Sequence, residues 1–343
     1  MPRDLTSLRT DLPVWAAPMA GGAGTPALVE AVARAGGLGF LAGGYKTSAE
    51  LGAQIARVRA TGAVFGVNLF APNPVPVAPD AYRTYARVLQ READRYHLTL
   101  PAEKMTEDDD AWEEKLALLL KAPVPLVSFT FGLPDGEIVR ALQNVRSLVA
   151  QTVTNSAEAV AAAETGADLL IVQASAAGGH SATLTPSRPV APTPLPDLVS
   201  DVRHTVPLSV IAAGGIATPT DASAALRAGA DAVMVGTVLL RTHESGAAAP
   251  YKAALADPAF TDTTLTRAFT GRPARALRNR FTDTYEPAAP LGYPAVHHLT
   301  SPLRKAAAAA NETELIHLWA GTGYREARDE PAAETLTRLA AGR

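Results

Sequence analysis

Short apolar runs alternate with longer Ala- and Leu-rich segments along most of the chain. The runs are continuously apolar rather than alternating in polarity, as parallel strands buried on both faces are. Strands are predicted near residues 13–18, 38–42, 64–69, 124–130, 148–153, 168–173, 207–213 and 231–236. Because amphipathic helices fit between these eight strands, the pattern favours a closed (β/α)8 barrel, or TIM barrel, over an open sheet.

Capping residues mark the ends of the predicted helices. Ser, Thr and Asn side chains accept hydrogen bonds from the first turn, proline is tolerated there, and glycine commonly ends a helix. Helix starts are expected at Thr25-Pro26, Ser48, Asn155 and Thr218-Pro219, and helix ends at Gly36, Gly166 and Gly229.

Two regions break the β/α rhythm. Residues 71–122 are too long for one crossover and contain two polar helices, predicted near 80–97 and 108–121. Residues 256–343 follow the last strand and its helix, and contain a further helix predicted near 303–317. We expect 1–70 and 123–255 to form the barrel, and 71–122 and 256–343 to form a helical cap over its C-terminal face. The loop at 181–196 is expected to join this cap.

Composition and charge narrow the function. The 343 residues are 47% hydrophobic and include no cysteine, which excludes disulfides, thiolate catalysis and Cys-ligated metals. The net charge of −3 and the absence of a basic block argue against a nucleic-acid partner. No apolar stretch is typical of a signal peptide or membrane span, and no ligand spacing indicates a metal site. We expect a cytoplasmic monomer or homodimer.

The loops after the last two predicted strands are rich in glycine. In a (β/α)8 barrel these two loops commonly bind phosphate, because glycine lets backbone N–H groups approach the anion. Each loop alone is also compatible with a tight turn, but the pair favours a phosphate site. The residues concerned are Ala213, Gly214, Gly215, Gly236 and Thr237.

Other strand ends offer contacts to a flat, polar-edged ring. The small-residue loop after the first strand contains Ala17, Pro18 and Met19, and a ring could lie against its backbone. Asn68 and Gln173 end the third and sixth strands, and their amides could match the donors and acceptors of a ring edge. Taken singly, an amide at a strand end more often caps a loop.

His180 is the sharpest candidate for chemistry. It follows Gly178 and Gly179 on the loop after the sixth strand, where active-site residues of this fold lie. A histidine there could remove a proton from carbon or, as a neutral group, hydrogen-bond an anion.

Together these stretches resemble the class I nitronate monooxygenases. The matching segments are APMAGGAGTPALVEAVARAGGLGFLAGGY (17–45), VNLF (67–70), VSFTFGLP (127–134), AGGH (177–180), AAGGI (212–216), GTVLLRTHESGA (236–247), TRAFTGRPAR (266–275) and LWAGTGYREAR (318–328). They occur in order over nearly the whole chain.

The resemblance implies a non-covalently bound FMN and the oxidation of alkyl nitronates, such as propionate 3-nitronate, by O2 to a carbonyl compound and nitrite. It places His180 as the catalytic histidine, which holds the nitronate charge or deprotonates a nitroalkane. It places Tyr324 and Lys305 in a segment that faces the substrate. The implied flavin contacts are Ala17, Pro18, Met19, Asn68, Gln173, Gly178, Gly179, Ala213, Gly214, Gly215, Gly236 and Thr237.

Three positions depart from the family pattern. Ala176 and Ser181 stand where the family usually has Glu and Arg, and Thr322 stands in place of Gln. These changes leave the proposed FMN contacts intact but bear on the substrate. Two further enzyme classes therefore stay open: an NAD(P)H-dependent flavin reductase of the enoyl-acyl carrier protein reductase type, and a flavin tailoring monooxygenase with a larger substrate. A flavin-binding protein without catalytic activity is the non-enzymatic alternative.

Overall fold

The structure is a computed structural model that describes residues 5–8 and 10–342; the ends of the predicted ranges at 1–4 and 343 lie outside the described residues. In chain order the strands are β1 (Val14–Ala16), β2 (Leu38–Ala42), β3 (Phe65–Ala71), β4 (Leu126–Phe131), β5 (Leu148–Val153), β6 (Leu169–Gln173), β7 (Gly179–His180), β8 (Ser209–Ala213), β9 (Ala232–Val235), β10 (Thr263–Thr266) and β11 (Ala274–Leu277). The helices are α1 (Pro26–Arg34), α2 (Ser48–Arg59), α3 (Pro79–Asp94), α4 (Trp112–Lys121), α5 (Gly136–Asn144), α6 (Ser156–Glu164), α7 (Leu195–Thr205), α8 (Pro219–Arg227), α9 (Ala249–Ala254), α10 (Arg280–Tyr285), α11 (Ala295–Ala309) and α12 (Ala332–Ala340).

Eight parallel strands close a barrel in the order β1-β2-β3-β4-β5-β6-β8-β9, and β9 pairs with β1. Each lies within two residues of its predicted position, so the (β/α)8 fold is confirmed. Side chains from Trp15, Phe40 and Met234 pack inside the barrel with Leu8 from the N-terminal segment. This packing fills the N-terminal half of the barrel.

The predicted caps are confirmed at three helices. The side chains of Thr25, Asn155 and Thr218 accept hydrogen bonds from the first turns of α1, α6 and α8. At α2 the cap is Thr47 rather than Ser48, and Thr47 forms a capping box with Glu50. Ser48 is instead the first helical residue.

Two helices that lie within the predicted cap ranges pack on the barrel. α4 packs on β3 between α2 and α5, and α12 packs between α1 and α8. The outer ring is thus α1, α2, α4, α5, α6, α7, α8 and α12. The predicted cap ranges 71–122 and 256–343 therefore each contain one helix that covers the barrel.

The cap is built around α3, α10 and α11, whose apolar faces share one core that includes Tyr82, Phe281 and Leu299. The helix predicted near 303–317 is α11, and it runs from 295 to 309. Pro302 lies inside this helix rather than at its start, and Asn311, with φ +58°, follows its end.

A small antiparallel sheet, β10-β11-β7, connects the cap to the barrel. Ala274 of β11 pairs with His180 of β7. This sheet therefore places His180 at the junction of barrel and cap. Across the described residues, every helix is too short or too polar to cross a membrane.

Candidate active site

A cavity of about 390 Å³ lies at the C-terminal end of the barrel strands, beneath the cap. All of the cofactor contacts expected from sequence line it, as does His180. These residues are Ala17, Pro18, Met19, Asn68, Gln173, Gly178, Gly179, Ala213, Gly214, Gly215, Gly236 and Thr237. The fold thus brings together loops that are up to 220 positions apart in the chain, counting from residue 17 to residue 237.

One side of the cavity is backbone. Gly214 and Gly215 have φ of +106° and +79°, a region that side chains disfavour. A Cβ on Gly178 would lie 2.5 Å from the backbone nitrogen of Gly321, and one on Gly214 would lie 2.8 Å from the Ala174 carbonyl oxygen. These positions require glycine, and their packing leaves a cradle of main-chain atoms after β6 and β8.

Thr237 helps to close this cradle. Its hydroxyl accepts a hydrogen bond from the backbone N–H of Gly321 at 3.0 Å. The neighbouring Thr322 N–H donates to the Ala176 carbonyl at 3.1 Å. The C-terminal segment is therefore fastened across the loops after β6 and β9.

The two predicted amides are already engaged with the protein. The Asn68 amide nitrogen donates to the Ser128 hydroxyl and the Thr130 hydroxyl, both at 2.9 Å. Gln173 donates to the His180 carbonyl at 3.2 Å and accepts from the Ala182 N–H at 2.8 Å. Gln173 therefore fixes the segment that carries His180.

His180 lies among aromatic rings. The ring centroids of Phe131, Trp319 and Tyr293 are 5.5, 5.3 and 5.8 Å from that of the imidazole. Its Nε2 is 2.9 Å from the hydroxyl oxygen of Thr270. Burial, reinforced by the charges of Arg272 and Arg304, lowers the pKa of His180 to about 3. The imidazole is therefore neutral at physiological pH.

A sequence model described as nitronate monooxygenase matches residues 4–341. The chain belongs to the nitronate monooxygenase family. A probable nitronate monooxygenase of Staphylococcus aureus (strain Newman) is 34% identical over 337 residues, covering 97% of this chain and 94% of the relative. The family and these relatives identify the protein as an oxidoreductase.

Two solved structures are similar to this nitronate monooxygenase family member over nearly its whole length. A nitroalkane oxidase from Streptomyces ansochromogenes superposes with a TM-score of 0.92 at 46% identity, over 99% of this chain and 97% of that one. FabK from Thermotoga maritima gives a TM-score of 0.76 at 25% identity, over 98% and 94% of the two chains.

Two of the three departures from the family pattern, Ala176 and Thr322, are neighbours in the structure. A Cβ added to Gly215 would lie 2.9 Å from the Ala176 Cβ and 3.6 Å from the Thr322 hydroxyl oxygen. The positions that usually carry Glu and Gln in nitronate monooxygenases are thus neighbours beside the cradle. Ser181 is separate from them: it is buried, and its carbonyl accepts a hydrogen bond from Arg272 at 3.5 Å.

The structure places neither of the two predicted substrate residues, Tyr324 and Lys305, in the lining of the cavity. Tyr324 is buried in the cap, where its hydroxyl donates to the Phe260 carbonyl at 2.6 Å, and it does not line the cavity. Lys305 is exposed to solvent on α11. One position along a helix turns a side chain by about 100°, so the preceding residue, Arg304, faces inward instead.

Arg304 is the cation that the sequence reading missed. Its guanidinium donates to the Thr300 hydroxyl at 3.0 Å and the His297 carbonyl at 3.0 Å, and lies 3.1 Å from His317 Nδ1. Among the described residues that line the cavity, none is acidic and Arg304 alone carries a formal charge. Burial lowers its pKa to about 10, so it stays protonated at neutral pH.

The aromatic wall was also missed. Tyr45 stacks on His297 with a centroid distance of 4.4 Å and an interplanar angle of 3°. Phe70 meets Tyr45 edge-on, and Phe131 continues the wall to His180. These residues come from β2–α2, β3, β4 and α11, and no local motif in the sequence marks them as partners.

Proposed function

We propose that this oxidoreductase binds FMN and oxidises alkyl nitronates, propionate 3-nitronate-like compounds among them, with O2 to a carbonyl compound and nitrite. The observation that carries the proposal is the cavity itself. It has a glycine-lined backbone cradle on the loops after β6, β8 and β9, and a neutral histidine with a buried arginine on the cap side. Membership of the nitronate monooxygenase family agrees with this chemistry.

The cradle fits a mononucleotide phosphate. Gly214, Gly215 and Gly236 line the cavity, and without side chains their main chain can approach an anion closely. The loops after the last two strands of a (β/α)8 barrel are the usual phosphate position in this fold. Bound there, FMN would supply the redox chemistry, while the protein supplies position and electrostatics.

The opposite side fits an anionic substrate. Arg304 provides a positive charge whose hydrogen-bond partners are neutral, so its charge is not cancelled by a carboxylate within the lining of the described cavity. The aromatic wall provides apolar surroundings, in which an ionic hydrogen bond is stronger than in water. Arg304 would hold a carboxylate or nitronate oxygen, and His180 would lie beside the reacting carbon.

Purified protein loaded with FMN tests the proposal through oxygen uptake with propionate 3-nitronate. We expect uptake well above that of free FMN, with nitrite as a product. His180→Asn removes the imidazole but leaves the cradle, so we expect it to keep its flavin absorbance and lose turnover by about a hundredfold. A protein that takes up no FMN, or no oxygen with nitronate, contradicts the proposal.

The similarity to FabK provides a second candidate, an NAD(P)H-dependent flavin reductase. Anaerobic mixing with NADH or NADPH separates the two. Rapid bleaching of the flavin by either nicotinamide would favour the reductase. Flavin that stays oxidised until nitronate is added would favour nitronate oxidation.

A further inference from the structure

The hydroxyl of Thr270 has two polar neighbours and one proton. Its oxygen is 2.9 Å from His180 Nε2 and 3.3 Å from the Arg272 carbonyl oxygen. Thr270 is buried in the turn between β10 and β11, and β11 pairs with the strand that holds His180. The position of this hydroxyl is therefore fixed by the same sheet that fixes the imidazole.

The carbonyl settles which way the hydroxyl points. Among the described residues, Thr270 is the donor that reaches the Arg272 carbonyl. If the hydroxyl proton went to His180 instead, this buried carbonyl would lose its hydrogen bond, which is unfavourable. When the proton goes to the carbonyl, the hydroxyl oxygen is left to accept, and both contacts are satisfied only if Nε2 carries hydrogen.

The other ring nitrogen is then a free acceptor. Within the described part of the chain, no protein group is bonded to His180 Nδ1, and the ring lines the cavity. A neutral imidazole with hydrogen on Nε2 has its lone pair on Nδ1. The burial and nearby cations that lower the pKa of His180 keep the ring neutral, so that this lone pair is available.

We propose that Thr270 is a positioning residue that holds the proton of His180 on Nε2, so that Nδ1 accepts a proton from a neutral nitroalkane. The proposal rests on the function proposed above and on the nitroalkane deprotonation that the family resemblance implies for His180; what it adds is Thr270 as the residue that sets the tautomer of the base. The C–H bond next to the nitro group breaks and an Nδ1–H bond forms. The electron pair stays on the substrate, which becomes the nitronate. The imidazole becomes imidazolium, and its Nε2–H keeps its hydrogen bond to the Thr270 hydroxyl oxygen.

Arg304 balances this transfer. Its positive charge disfavours the imidazolium, but it would favour the nitronate anion that forms in the same cavity. The two effects oppose each other, so the transfer depends on the geometry of His180 rather than on its pKa alone.

Two substrates and two variants test the proposal. Nitroethane must lose a proton in the site, whereas ethyl nitronate, prepared beforehand in base, has already lost it. Thr270→Val keeps the shape of the side chain and removes the hydroxyl; Thr270→Ser keeps the hydroxyl. We expect Thr270→Val to lower kcat/KM by about tenfold or more for nitroethane and by less than about threefold for ethyl nitronate. Thr270→Ser should remain close to wild type with both substrates.

A purely structural role predicts a different result. It would lower activity equally with both substrates, and the flavin absorbance or melting temperature would fall with it. Equal losses, no loss, or a Thr270→Ser enzyme as impaired as Thr270→Val would each overturn the proposal. Wild-type enzyme that oxidises ethyl nitronate but not nitroethane would overturn it while leaving the proposed function standing.

Nitrogen NMR decides the tautomer without relying on turnover. In uniformly ¹⁵N-labelled wild-type protein, the signals of His180 are identified by their loss in His180→Gln. We expect a protonated Nε2 and an unprotonated Nδ1, and a mixed or reversed pattern in Thr270→Val. Hydrogen on Nδ1 in the wild-type protein would overturn the proposal. If the enzyme oxidised neither compound, the proposed function would fail but this measurement would still decide the tautomer.

Discussion

Charge inside the cavity is concentrated on one side chain. Arg304 is 6% exposed, and its guanidinium is surrounded by hydroxyl, carbonyl and imidazole groups rather than by an acid. A buried cation is costly unless something compensates it. An anionic substrate provides that compensation, which makes Arg304 a candidate determinant of substrate charge.

We expect Arg304→Met to discriminate between substrates of different charge. Propionate 3-nitronate carries a carboxylate in addition to its nitronate, whereas ethyl nitronate carries only the nitronate. Loss of the guanidinium should lower kcat/KM by about tenfold or more for propionate 3-nitronate, and by less for ethyl nitronate. Steady-state oxygen uptake with both substrates measures the difference.

Lys305→Met is the matched control for this prediction. It removes a charge of the same sign from the adjacent residue, which is exposed on the outer face of α11. We expect it to behave as wild type with both compounds. If Lys305→Met and Arg304→Met had the same effect, long-range charge rather than contact would explain the result.

At the scale of elements, the local hydrophobic pattern was sufficient to predict the barrel strands but not to predict which helices form the cap. A continuous apolar run such as 169–172 indicates a buried strand by itself, and β6 occupies 169–173. An amphipathic helical pattern indicates only that one face of the helix is buried; it does not indicate which element covers that face. The helix predicted near 108–121 was therefore placed in the cap, although α4 covers β3. α12 was not predicted as a helix; its residues fell in the range given to the cap, although it packs between α1 and α8.

Local sequence pattern is limited in the same way for the candidate active site, because it does not show which elements pack together. Each of the predicted loop residues lines the cavity, because strand ends in a closed barrel converge on one face. Arg304 and Thr270 were missed because their positions depend on the packing of α11 and of the β10–β11 turn. The helix predicted near 303–317 starts at 295 in the structure, so its inward face was not predicted from the sequence.

The role of α12 leads to a stability prediction. Leu336 on this helix is fully buried in the core that it shares with α1 and α8. We expect Leu336→Ala to lower the free energy of unfolding of the whole barrel by about 2–5 kcal/mol. Urea unfolding followed by far-UV circular dichroism measures this.

Leu120→Ala on α4 provides the comparison, since that side chain is 38% exposed and should cost much less. The result would contradict the assignment if Leu336→Ala produced an early, separate transition while the main transition stayed in place. That outcome would mean that α12 unfolds with a cap and is not needed to close the barrel.

At the scale of the whole molecule, three histidines are held neutral where barrel and cap meet. Burial is the largest cause in each case. It lowers the pKa of His180 to about 3, and it lowers the pKa values of His297 and His317 well below the ordinary value, with Arg304 adding to the effect. In the folded protein these three histidines therefore bind protons less readily than they would in the unfolded chain.

This linkage predicts how stability depends on pH. A histidine in the unfolded chain binds a proton below about pH 6.5, whereas His180 in the folded protein does so only near pH 3. The unfolded state therefore binds more protons in this window, and stability falls as the pH falls below 6.5. Each such histidine contributes a slope of up to about 1.4 kcal/mol per pH unit.

We expect His180→Gln to reduce the slope of the free energy of unfolding between about pH 6 and pH 5 by up to about 1.4 kcal/mol per pH unit. Urea unfolding of both proteins at several pH values measures it, and comparing slopes removes any constant effect of the substitution. His204→Gln, at an exposed position on α7, is the control and should keep the wild-type slope. An unchanged slope in His180→Gln would show that the imidazole takes up a proton in the folded protein, and a neutral base facing the cavity would then be excluded at that pH.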